Sequence, residues 1–387
     1  MSRTSPFSFC EFFAGGGMAR AGLGADWHCR LANDLDPAKA AAYRANWGDG
    51  DLIEANVWDL TPDDLLGTAD LVWASSPCQD LSLAGPRAGL SGQRSSAFWG
   101  FWRLIEALDD QGRAPGVIVI ENVVGLLNSR GGQDFTAICE ALAARNYLFG
   151  ALEINAAHFV PQSRPRLFLI AARAEDLSSP VPGPWHGPSA RLAAERLPDA
   201  LKPYWRWWQL PPPPVREQGL ANLLEPDDQT IWHSRAQTEA LLTLMAPLHR
   251  RRLEQAVAQA RGDGQRQVGA LFRRTRQEQG RSQQRAEVRF DGLAGCLRTA
   301  RGGSSRQTVV VIDPAFEDAA VRTRLMSPRE GARLMGLGDD YVLPKGAAAA
   351  LTLVGDGVVV PVVAFLERHL LRQIVKACQS ARQAAQA

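Results

Sequence analysis

The hydrophobic pattern of this chain repeats one device: a short apolar run that stops abruptly at a polar or turn-forming residue. Residues 7–13 are apolar except for Ser8 and Glu11, and they lead into Ala14-Gly15-Gly16-Gly17. Residues 27–32, a strand candidate interrupted by His28 and Arg30, give way to Asn33-Asp34, and residues 69–74, broken only by Asp70, stop at Ser75-Ser76-Pro77. The β-branched run 117–120 ends in Glu121-Asn122, and 167–172 is a further unbroken run. Runs of this length with no alternation predict buried strands of a parallel sheet. Between them lie stretches with helical spacing: residues 18–23, residues 97–108 with apolar positions 98, 101, 104, 105 and 108, and residues 134–144. Strand and helix in alternation predict a doubly wound α/β domain. In such a sheet, ligands gather at the carboxyl ends of the strands.

The polar residues at those ends therefore carry the chemistry. Strand, glycine turn and helix at 13–23 let a backbone approach a ligand, and Asp34 follows the turn by about 20 positions, the usual spacing of a ribose-binding acid. Pro77 fixes its own φ, turns Ser76 away from helix and presents Cys78 in a loop after a strand. A free cysteine is more often inert packing. Glu121, at the tip of another buried run, shifts that balance: burial raises the pKa of such a carboxyl and lets it hold a proton. One thiol and one acid at strand tips suit addition to an electron-poor ring with proton delivery.

Taken in order, Pro77-Cys78-Gln79, Glu121-Asn122-Val123 and Gln162-Ser163-Arg164-Pro165-Arg166 resemble the central signature of the DNA (cytosine-5)-methyltransferases. The resemblance covers most of 8–172 and 322–370. It implies a Rossmann-like S-adenosylmethionine-dependent methyltransferase domain with a smaller inserted target-recognition domain. The cofactor is then S-adenosylmethionine, leaving as S-adenosylhomocysteine. By the same resemblance Phe13 lies against the adenine, Gly15 and Gly17 line the methionine part, and Asp34 holds the ribose. Ala14, Leu35, Asn56, Val57, Pro77, Asp356 and Val358 complete the implied cofactor set. Cys78 is the nucleophile, Glu121 the acid, and Arg166, with Arg164 beside it, the partner of the base oxygen. Three positions depart from the family pattern: Glu11-Phe12-Phe13 replaces Asp-Leu-Phe, Asn56 replaces an aspartate, and Asp356 replaces an asparagine.

Charge changes the picture only locally. The formal net charge is +2, but residues 250–306 hold fourteen arginines, no lysine and five acidic residues. That is an electrostatic footprint for phosphate, with a solvated basic face as the competing reading. Arg298, Arg301, Ser304 and Ser305, with Gln79, Ser82 and Arg94 from the loop after Cys78, form the expected DNA-binding set. The domains expected are 1–173 (catalytic), 174–344 (recognition, opened by Ser178-Ser179-Pro180 and the proline run 211–214) and 345–387, a helix returning to the catalytic domain. Residues 238–260 and 358–371 read as helices, the tail past Lys376 as loose. The cluster Tyr204-Trp205-Arg206-Trp207-Trp208 reads as a small core rather than a stacking platform, and His158 as structural.

Six cysteines without CxxC spacing give no zinc site and no disulfide scaffold, which fits a reducing cytoplasm. No apolar run approaches about 18 residues, so neither a membrane span nor a membrane partner is expected. The expected partner is double-stranded DNA, the expected state a monomer, with room for a cognate restriction endonuclease. Two other classes stay open: RNA methylation on the same scaffold, separable by a labelled-cofactor assay, and a non-catalytic DNA-binding relative, against which intact Cys78 and Glu121 stand.

Overall fold

The computed structural model describes residues 6–65, 67–77, 97–174, 178–278, 280–299, 306–315 and 321–386. They divide into two compact units, one of residues 1–155, 165–214 and 357–387, the other of 156–164 and 215–356.

The first unit follows the predicted alternation. Strand β1 (Phe7–Phe12) leads to helix α1 (Met18–Leu23), β2 (Trp27–Asp34) to α2 (Pro37–Trp47), and β3 (Leu52–Glu54) to β4 (Leu71–Ala74). Then come α3 (Ala97–Asp110), β5 (Val117–Asn122), α4 (Gln133–Ala144), β6 (Leu148–Asn155) and β7 (Pro165–Ala172). These strands form one seven-stranded sheet in the order β3-β2-β1-β4-β5-β7-β6, in which β7 alone runs antiparallel to its neighbours. β1, β4 and β5 are buried along their whole lengths, so their sequences read as mostly apolar runs, broken in β1 by Ser8 and Glu11 and closed in β5 by Glu121-Asn122. Phe98, Phe101 and Trp102 of α3 are core residues on one side of the sheet.

The expected boundary at 173/174 falls instead at 214/215. The intervening residues fold back: β8 (Ser178–Ser179) pairs with β9 (Trp207–Trp208), α5 (Pro188–Arg196) lies between them, and Trp208 Nε1 shares its hydrogen between the Gly150 and Ile170 carbonyls, 3.2 Å from each. The tryptophan cluster is a core, with Trp205 set edge-on against Phe135 and Phe149.

In the second unit, the single helix expected over 238–260 is two, α6 (Arg235–Thr243) and α7 (Pro247–Asp263), because Pro247 opens a new first turn. Four antiparallel strands follow, β10 (Gln267–Glu278), β11 (Arg281–Arg289), β12 (Thr308–Ile312) and β13 (Val321–Leu325), in the order β11-β10-β12-β13. Helix α8 (Pro328–Arg333) is capped by Ser327 and Glu330; Glu330 also forms a fully buried ion pair with Arg324. Helix α9 (Ala347–Asp356) completes the unit.

The chain then rejoins the first unit through α10 (Val360–Leu366), a π turn over residues 367–371 and α11 (Arg372–Gln386), so the tail expected to be loose is helical. The stretch Ala347–Ala384 is long and apolar enough to cross a membrane by length and composition, which corrects the expectation that no such run exists. Its apolar residues serve as core: Leu353, Val354, Val362, Val363 and Leu366 are all buried. Helix α10 meets α1 at Gly22, where a Cβ would come 2.4 Å from that of Val363.

Candidate active site

The carboxyl ends of β3, β2, β1, β4 and β5 lie along one edge of the sheet, since these strands are parallel and in register: Asp34 faces Glu54, Phe12 faces Asn33 and Ala74, and Ala74 faces Ile120. The edge divides into two clusters.

At the first, the chain leaving β1 turns sharply. Phe13 adopts φ 58°, a left-handed conformation that costs a non-glycine residue roughly 1–2 kcal/mol, and Gly15 follows at 57°. Backbone hydrogen bonds hold the turn against β2: Ala14 donates to the Asn33 carbonyl at 2.9 Å and Gly15 to Asp34 Oδ2 at 2.8 Å. Asp34 Oδ1 accepts from the Asp36 N–H at 2.8 Å. Gly17 must lack a side chain, for a Cβ there would stand 2.3 Å from the Trp47 indole nitrogen. Beneath the turn, Glu11 is buried, and burial pushes its carboxyl up to about 8 despite hydrogen bonds from the Ala19 and Arg20 backbone.

This cluster fits an adenosine-bearing cofactor. The space where a Cβ of Gly15 would project is open within 4 Å, and the Asp34 carboxylate, with one N–H on each oxygen, keeps lone pairs for two hydroxyls. Leu35, 63% exposed, offers an apolar surface immediately after it. Asn56 is exposed and its Oδ1 accepts from the Trp58 N–H at 3.1 Å, whereas the Val57 side chain is committed to the core. Val358 is also buried, in the first unit, while Asp356 is an exposed end of α9 in the second.

The second cluster lies at β4, β5 and β7. Glu121 is buried and paired with Arg166, Nε to Oε1 3.2 Å. Beside it, the Asn122 amide donates to Ser76, 3.3 Å from Oγ and 3.5 Å from the carbonyl oxygen. The Ser75 N–H donates to the Phe12 carbonyl at 3.3 Å. The loop leaving β4 is thus tied to both neighbouring strand ends one residue before Pro77, which is half-buried. Cys78, Gln79, Ser82, Arg94, Arg301, Ser304 and Ser305 lie outside the described residues.

Arg164 is not gathered here. Strand β7 begins at Pro165, so strand alternation does not apply to the residue before it. The buried Arg164 guanidinium serves the second unit, donating to the carbonyls of Leu297 and Gly355 at 2.8 Å each. Gln162 works with it, accepting from the Leu297 N–H at 3.0 Å and donating to the Leu334 carbonyl at 2.8 Å. Exposed Arg298 follows the segment they hold. Sequence reasoning assigned no role to Asn122, Gln162 or the buried Glu11. Their signal was position within the matched motifs and, for Glu11, a charge inside an apolar run.

A model of the family described as C-5 cytosine-specific DNA methylase matches residues 7–372. Type II methyltransferase M.AluI of Cellulosimicrobium cellulans is 33% identical over 178 residues, covering 43% of this chain and 33% of the relative. Type II methyltransferase M.HpaII of Haemophilus parainfluenzae is 25% identical over 386 residues, covering 95% and 90%. The chain spans only a third to a half of the length of three such relatives, M.AluI, M.Eco47II of Escherichia coli and M.PspPI of Psychrobacter sp.. The methyltransferase EhMeth of Entamoeba histolytica shares the fold, with TM-score 0.62 at 15% identity over 96% of this chain and 99% of that one.

Proposed function

The chain belongs to the C-5 cytosine-specific DNA methylase family, and from that premise we propose that it methylates C5 of cytosine in double-stranded DNA with S-adenosylmethionine as donor. The observation that carries the proposal is the grip of Asn122 on Ser76, which ties the chain two residues ahead of Cys78 to the strand end that carries Glu121, itself paired with Arg166.

In this reading the Cys78 thiolate adds to C6 of the cytosine, forming an S–C6 bond and moving electron density toward C5. Glu121 holds a proton or hydrogen bond at N3, and Arg166 donates to the exocyclic oxygen on C2, so both stabilise the charge that the addition creates. S-adenosylmethionine, when bound, supplies the methyl group that ends on C5. Loss of the C5 proton then re-forms the ring double bond as the S–C6 bond breaks and Cys78 leaves as thiolate. Phe13, Gly15 and Asp34 would hold the donor: the aromatic face for the adenine, the open glycine for the methionine portion, the carboxylate for the ribose hydroxyls. The ring is attacked on its face, so the base must leave the duplex stack, at a cost of about a few kcal/mol.

The Type II names of the relatives support pairing with a cognate endonuclease, in a cytoplasm reducing enough to keep Cys78 a thiol. The test is transfer of labelled methyl from S-adenosylmethionine to DNA, read by bisulfite sequencing. The wild type is expected to mark cytosine at C5, and Cys78→Ser to lose the mark while still binding the cofactor. A Cys78→Ser protein with undiminished turnover overturns the proposal.

A further inference from the structure

Strand β12 pairs β10 only over residues 267–271, whereas β10 and β11 stay paired as far as Glu278 and Arg281. Beyond Phe272 the hairpin is a two-stranded ribbon, and residues 273–277 and 281–284 are exposed on both of its faces. A bare hairpin is only marginally stable in water and leaves both edges open, so a protein that keeps one has a use for it.

The register separates two faces of different chemistry. One continues the core face of Leu271 and Val288: Arg273 lies opposite Ala286, Thr275 opposite Gln284, and Gln277 opposite Ser282. It carries hydroxyls, amides and one guanidinium, with no acidic residue. The other face sets Arg274 opposite Arg285, Arg276 opposite Gln283, and Glu278 opposite Arg281. Three of its arginines are engaged within the face: Arg276 Nε donates to Glu287 at 2.6 Å, Arg285 Nε to Glu278 at 2.9 Å, and the Arg274 guanidinium lies 4.7 Å from the Phe272 ring centre. Ion-paired side chains suit water and guard an open ribbon against pairing with another. The first face, which has no acidic residue, has the residue types that read base edges: Gln for adenine, Arg for guanine, Ser and Thr for either.

The geometry points to the ribbon of residues 272–278 and 281–287 as a major-groove reader of double-stranded DNA, with Arg273, Thr275, Gln277, Ser282 and Gln284 facing the base pairs and the ion-paired face turned to solvent. This rests on the DNA-methylating function proposed above and names the determinants of its sequence specificity. A two-stranded ribbon fits the B-form major groove, about 12 Å wide, whereas the deep, narrow groove of A-form RNA excludes it. Successive rungs on one face lie about 7 Å apart, so three rungs span about 14 Å, or roughly four base pairs.

The experiment is methylation of a random-sequence DNA library by the full chain, with the preferred motif read out by bisulfite sequencing. The wild type is expected to give a defined motif. Thr275→Ala/Gln284→Ala is expected to relax preference at one or two base pairs by about tenfold, while Gln283→Ala, on the opposite face, keeps the motif. Circular dichroism checks that each variant is folded, and Gln277→Ala/Ser282→Ala supplies an independent pair one rung further along. A wild type that methylates DNA but whose motif withstands both face substitutions overturns the ribbon assignment alone. Absence of DNA methylation by the wild type, or a preference for duplex RNA, overturns the underlying reading instead.

Discussion

The seven-stranded sheet of the first unit and the β10–β11 ribbon of the second support their strands by different means. β5 is paired on both sides and buried on both faces, and the Glu121 at its end inherits a fixed position from those neighbours. The outer half of the ribbon has one partner strand and no cover, so its side chains answer mainly to each other. Chemistry that must hold atoms within a fraction of an ångström belongs on the first kind of support. Reading of a variable DNA sequence tolerates the second, where side chains exchange at little cost to the fold.

The largest expected effect tests the first kind. Glu121→Gln keeps the shape but removes the acid, and it should lower kcat by about 10²- to 10⁴-fold with cofactor affinity unchanged. Steady-state kinetics with a binding measurement checks both halves; an active Glu121→Gln enzyme would leave the strand tip without its assigned role. Stability should divide in the same way. Phe168→Ala, in the buried middle of β7, should cost about 3–5 kcal/mol in denaturant unfolding. Thr275→Ala on the ribbon should stay within about 0.5 kcal/mol. Equal losses at the two sites would erase the contrast.

Asn122→Ala probes an intermediate case, because Asn122 touches the loop rather than the base. Losing its grip on Ser76 should reduce methylation by about tenfold, through misplacement of the nucleophile two residues further along the chain. Asn122 is a positioning residue, and its signature is a fall in kcat with cofactor binding and global stability preserved.

The two regions also differ in how far they can be read from sequence. Unbroken apolar runs at 117–120 and 167–172 specify buried strands almost by themselves, and the polar residues Glu121 and Asp34 at strand ends are legible as site candidates. The ribbon escapes that reading because exposed strands carry no burial signal: Arg273-Arg274-Thr275-Arg276-Gln277 has no hydrophobic alternation to reveal its period. It registers only as charge, and much of that charge proves to be paired within the ribbon. Strand β12 was passed over although Thr308–Ile312 is as apolar as β5. Arg164 departs for another reason: the resemblance sets it beside Arg166, but the strand starts between them.

A smaller, pH-dependent effect comes from Glu11. Its carboxyl rises from the ordinary 4.5 to about 8, chiefly through burial, so the folded chain keeps a proton that the unfolded chain releases. The stabilising contribution is fully present below about pH 4.5 and is lost as pH climbs through about 8, because across that window the native state binds the extra proton. Glu11→Gln stays neutral at every pH and should flatten this part of the stability curve, measured as denaturation midpoints from about pH 5 to about pH 9. No corresponding slope is expected from ribbon substitutions such as Gln283→Ala, whose amide does not titrate. If Glu11→Gln leaves the slope intact, the acid under the glycine turn is already ionised near neutrality. The turn would then rest on a buried charge instead of a neutral carboxyl.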